Sequence, residues 1–118
     1  MNLKECYDAM DANYNDVMRR LGSEERITRF LSKILEDKSF LLLCNSMKAE
    51  NYEEAFRAAH SIKGICMNLG LTPLQESSSA LTENLRDGKA DKDTVPLLER
   101  TMKDYEKIAA AIRTLLNG

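Results

Sequence analysis

The chain has 118 residues, enough for one hydrophobic core and too few for two domains of ordinary size. Hydrophobic residues make up 43% and charged residues 31%, with two prolines, five glycines and no tryptophan, a balance that excludes disorder and suits a helical protein. The net charge is −2 and Lys and Arg are interspersed with Asp and Glu, which excludes an electrostatic nucleic-acid face.

Apolar residues recur at helical spacing from the N-terminus onward. Leu3, Cys6, Tyr7 and Met10, followed by Tyr14, Val17, Met18 and Leu21, predict a helical arm over residues 1–22, closed by Gly22 in a left-handed conformation. Ser23 is the predicted N-cap of the next helix, with Glu24 and Glu25 in its first turn and a buried stripe of Ile27, Phe30, Leu31, Ile34 and Leu35. A break near residues 37–39 leads to a shorter helix from about Phe40 to Ala49, and Asn51 and Glu54 then form a capping pair for a long helix ending at Leu69 and Gly70. Thr72 as N-cap and Pro73 at the first helical position start another helix, with Leu74, Ser78, Leu81 and Leu85 on its seam and a stop at Asp87 and Gly88. The last helix runs from about Asp93, burying Val95, Leu98, Met102, Tyr105, Ile108 or Ala109, Ile112 and Leu115.

No strand-like alternation competes with this pattern. The expected fold is all-α, a single domain over residues 1–118 in which the 1–22 arm precedes an up-and-down four-helix bundle over 23–118. The N-terminus lacks the apolar run of a secretion signal and no stretch approaches a membrane span, so a cytoplasmic monomer is expected. Cys6, Cys44 and Cys66 are widely spaced and form no close pair, which makes them reduced core residues rather than zinc or dithiol ligands.

His60 is the only histidine. In a helix over 51–69, Tyr52, Ala55, Ala59, Ile62, Cys66 and Leu69 share the buried face, and at about 100° per residue His60 lies roughly 150° from its centre. Lys63 and Gly64 fall within about 60° of the imidazole on the solvent side, which they share with Glu53, Phe56, Arg57 and Met67. A glycine inside a helix costs about 1 kcal/mol relative to alanine, so Gly64 points to a need for its missing side chain.

Most enzyme chemistries fail on the inventory. One histidine cannot build a multi-histidine metal site, Cys66 faces the core, and Ser61 lies about 100° round the helix from the ring. A neutral imidazole, with an ordinary pKa of about 6.5, is itself a nucleophile near neutral pH and suits phosphoryl transfer. Lys63 would disfavour the imidazolium and attract an attached phosphoryl group, and Gly64 would leave room for in-line approach.

The string Ala58-Ala59-His60-Ser61-Ile62-Lys63-Gly64, followed by Asn68-Leu69-Gly70 and Leu74, resembles the histidine-containing phosphotransfer (HPt) domain family from about Ile27 to the C-terminus. The resemblance implies a phosphorelay intermediate: His60 carries a phosphoryl group between receiver aspartates, Lys63 stabilises it and Gly64 gives clearance. It implies response-regulator receivers or a hybrid histidine kinase as partners, with Mg2+ on the receiver, no intrinsic cofactor or metal, and no autonomous kinase activity. Phe56, Arg57, Met67 and Arg86 become candidate partner contacts. Family members often carry Gln or Glu just after the leucine in the following helix, whereas here Leu81 precedes Thr82, which removes one accessory hydrogen bond from the expected site. The other reading open to the sequence is an HPt-like bundle that binds proteins without being phosphorylated.

Overall fold

The computed structural model describes residues 1–118 as seven helices and no strand. They are α1 (Leu3–Ala9), α2 (Tyr14–Leu21), α3 (Glu24–Glu36), α4 (Ser39–Lys48), α5 (Tyr52–Leu69), α6 (Thr72–Asn84) and α7 (Thr94–Asn117). α4 to α7 form the bundle in chain order: α5 packs on α4 and α6, and α6 packs on α7. The Phe40 and Tyr105 rings, stacked 3.9 Å apart, join α4 to α7. α3 leans on α2, α5 and α7. At about 1.5 Å per residue, the 24 residues of α7 run nearly the length of a molecule measuring 40 × 25 × 19 Å.

The helix starts follow from local chemistry. Ser23 Oγ accepts from the Arg26 amide at 3.2 Å, and Asn13 Oδ1 accepts from the Asp16 amide at 3.0 Å, so both helices begin with a satisfied donor. Asn2 and Glu5 form a complete capping box at the start of α1. Asn51 Oδ1 accepts from the Glu54 amide, but only half of the expected box forms there. The Asn51 amide already donates to the Ser46 carbonyl, and the Glu54 carboxylate turns to Arg57. Gly22 and Gly70 close α2 and α5 in the left-handed conformation, as expected.

The structure gives the arm its form and corrects two expectations, at Thr72 and Val95. The N-terminal arm is two helices, because Asp11 adopts a positive φ of 53° and Asn13 caps a new start. The arm covers the bundle: Cys6, Tyr7, Met10 and Val17 are fully buried in the same core as Leu31, Leu81 and Ile112. Thr72 is the first residue of α6 rather than its cap; Leu71, buried between two turns, holds the cap position. Val95 is 57% exposed instead of buried. Thr94 takes the inward position in its place, its hydroxyl donating to Asn84 Oδ1 and accepting from the Asp91 amide, which turns the first turn of α7 away from the stripe that Ile108 and Ile112 follow.

Smaller departures concern partial burial. Tyr52 and Cys44 are half-buried, while Ala58 joins Ala55, Ala59, Ile62, Cys66 and Leu69 on the inner face of α5. All three cysteines are free.

Candidate functional site

α5 fixes the site because its inner face is made of small and branched side chains that let α4 and α6 approach closely. Ala55, Ala58, Ala59, Ile62 and Cys66 are buried, and His60 is left exposed on the opposite side. Gly64 is also exposed, and a Cβ added there would meet nothing within 4 Å. Packing in the free protein therefore does not require this glycine. Its effect is an open surface one turn beyond the imidazole, on the side from which another molecule would approach.

On the α6 side of His60 stands a connected set of side chains. The Phe56 ring, half-buried, lies nearly parallel to the imidazole with centroids 6.2 Å apart and planes 16° apart. The Arg86 guanidinium sits 6.0 Å from the centre of the same Phe56 ring. Arg86 is gripped by Glu83: Nε donates to Oε2 at 3.2 Å and Nη2 donates to Oε1. Phe56 thus neighbours both the imidazole and the Arg86 guanidinium, the latter at the range of a cation–π contact.

Lys63 is half-buried on the same flank as Phe56. The Glu83 carboxyl is held below the usual carboxylate range, first by the hydrogen bond and charge of Arg86 and further by the Lys63 ammonium. Arg57 is exposed and paired with Glu54 on the other flank of the helix. Met67 is 45% exposed, two turns past His60 and about 10 Å along the axis. The sequence-derived residues therefore share one face, but only Phe56, His60 and Arg86 form a continuous contact chain.

Thr82 does not face this site. It is 1% exposed and its hydroxyl donates to the Ser78 carbonyl at 2.6 Å. Glu83, one position on, is the polar group that α6 turns toward the site, and it is absent from the sequence-derived set. Its signal was available in principle: Glu83 and Arg86 stand at the i, i+3 spacing of a helical ion pair. No group of three or more His, Cys, Asp or Glu side chains comes together anywhere in the fold as a metal ligand set.

The fold is thus a helical bundle that presents its single histidine, exposed, from the middle of α5, with Lys63 and the unfilled Gly64 one turn on. The chain belongs to the Hpt domain family, whose profile matches residues 23–117. No curated protein and no solved structure matches it. The family implies phosphotransfer in phosphorelay signalling, with its members serving as phosphocarriers rather than enzymes and engaging receiver domains and kinases of two-component systems. No helix is long and apolar enough to cross a membrane.

Proposed function

We propose that this protein is a phosphorelay intermediate in which His60 accepts a phosphoryl group from the aspartyl phosphate of one receiver domain and passes it to the aspartate of another. The observation that carries this reading is the exposed imidazole on α5 with open space at Gly64 beside it. In the forward step an imidazole nitrogen donates its lone pair to phosphorus while the P–O bond to the aspartate breaks. The aspartate leaves as a free carboxylate, and the ring becomes a phosphorylated imidazolium that loses its remaining proton or keeps it according to pH. The return step reverses these changes on the second receiver.

Lys63 lies one turn from His60 and supplies positive charge to the transferred group. Gly64 leaves the approach path open. Phe56, Arg57, Met67 and Arg86 form the rim on which the receiver docks, an apolar and cationic border of the kind that suits a transient interface. The receiver contributes the aspartate and the Mg2+ that neutralises the phosphoryl oxygens, so the chain works without a cofactor of its own.

The test is transfer of label from a phosphorylated receiver in the presence of magnesium. Wild-type protein is expected to acquire an acid-labile, base-stable phosphate, and His60→Gln to acquire none. Persistence of the label in His60→Gln, or no labelling across the receivers of the source genome, would overturn the assignment.

A further inference from the structure

Glu83 has no role in the function proposed above, yet its position is set by two independent contacts between α5 and α6. Gly88, just past α6, lies so close to the start of α5 that a Cβ there would come within 3.2 Å of Glu53 Cγ, and Arg86 lies over Phe56. α5 and α6 are joined through the short turn at Gly70 and Leu71 and therefore run antiparallel. Moving four residues along α5 from Phe56 to His60 moves about four residues back along α6 from Arg86, to Thr82 and Glu83. Thr82 is buried and bonded to Ser78, so Glu83 is the exposed side chain abreast of His60.

This places a carboxylate beside the cations of the site. Arg86 holds it through a two-point contact, and the charge of Lys63, one turn from His60, acts on it as well. Before transfer, that carboxylate is the local counter-ion. After transfer, a phosphoryl group with up to two negative charges enters the same space and draws on the same cations.

We propose that Glu83 sets the transfer potential of phosphorylated His60: its carboxylate competes with the phosphoryl group for Lys63 and repels it, so that the group is held loosely enough to leave. The inference rests on His60 being the acceptor. Glu83 touches neither reacting atom; it acts on them through charge, and through Arg86 on the Phe56 ring that flanks the imidazole.

A unit charge acting on a phosphoryl group across neighbouring helices, whose axes lie about 8–10 Å apart, changes an equilibrium by about three- to ten-fold in partly screened surroundings. Wild type, Glu83→Gln and Glu83→Asp are each equilibrated with a receiver charged by acetyl phosphate and Mg2+, and the distribution of phosphate is approached from both sides. Glu83→Gln is expected to shift it toward His60 by about three- to ten-fold, an effect that shrinks as salt rises, while Glu83→Asp stays near wild type. Circular dichroism establishes that each variant is folded.

A second donor makes the outcome independent of the receiver. Phosphoramidate is a small anionic phosphoryl donor; the imidazole nitrogen attacks its phosphorus, the P–N bond breaks and ammonia leaves. Removal of the Glu83 charge is expected to speed this charging about three-fold at low salt. If phosphoramidate charges His60 but no receiver does, the relay reading fails and Glu83 is judged by that rate alone. An unchanged distribution and rate in Glu83→Gln, or a shift away from His60, overturns the inference.

Discussion

At the scale of single residues, Gly64 separates stability from function most cleanly. A methyl group at this position meets no neighbour, and alanine is favoured over glycine in a helix interior, so Gly64→Ala is expected to raise stability by about 0.5–1 kcal/mol. The same methyl narrows the space beside the imidazole and should slow transfer from a phosphorylated receiver by an order of magnitude or more. Urea denaturation and label transfer measured on one preparation check both halves; a variant that is more stable and equally fast would leave the glycine without a functional reason. Lys63→Ala is expected to keep the fold and slow transfer, with the deficit largest at low salt because a charge at the edge of the solvent is screened. Equal rates for wild type and Lys63→Ala across salt would remove the role given to the ammonium. The placement of His60, Lys63 and Gly64 on one face was legible in the sequence, since one helical period decides it. Glu83 was not, because which of two adjacent residues on α6 faces the histidine depends on how α6 is rotated against α5. That rotation is set by the buried seam of Leu74, Ser78, Leu81 and Leu85, together with Ser77 and Thr82.

Among the elements, α1 and α2 carry the largest difference between sequence and structure. Their apolar spacing announced helices, but not the partner that they cover, because periodicity identifies a buried face without naming what buries it. In the structure they satisfy carbonyls at the C-terminal end of α5, where helical geometry leaves acceptors without partners. Tyr7 Oη donates to the Leu69 carbonyl at 2.7 Å, the Asn13 amide donates to the Gly70 carbonyl at 2.9 Å, and Arg20 donates to the Met67 carbonyl. This clamp lies outside the 23–117 segment matched by the family profile, yet it holds the helix that carries His60. Tyr7→Phe leaves the buried Leu69 carbonyl without its donor and is expected to cost about 1–2 kcal/mol. Gly70→Ala should cost at least as much, because its φ of 69° disfavours a side chain and the new Cβ would fall 2.9 Å from the Asn13 carbonyl oxygen. Chemical denaturation checks both, and stabilities within about 0.3 kcal/mol of wild type would show that the arm merely rests on the bundle.

For the molecule as a whole, one core spanning the arm and the bundle means that its buried ionisable groups report global unfolding rather than local opening. The Cys66 thiol is pushed from 9.0 up to about 12 by burial, and burial likewise raises the Tyr7 hydroxyl from its ordinary value of 10.0, with Cys6 adding to the effect. Each group stays protonated in the folded protein over a range in which the unfolded chain has already released its proton. The unfolded state therefore binds fewer protons above pH 9, and stability falls as pH rises. The contribution of Cys66 is intact below its unfolded value of 9.0 and is lost progressively as pH climbs toward about 12. The limiting slope is about 1.4 kcal/mol per pH unit for each proton. Urea unfolding at pH 7, 9, 10 and 11 under reducing conditions is expected to show a flat region followed by this decline. Replacing Cys66 with alanine removes one titrating group, so the variant should begin less stable at pH 7 because of the lost packing and then decline less steeply above pH 9. A wild-type profile that stays level to pH 11, or an equal slope in the variant, would mean that the thiol reaches solvent without unfolding and that the inner face of α5 behind His60 opens locally.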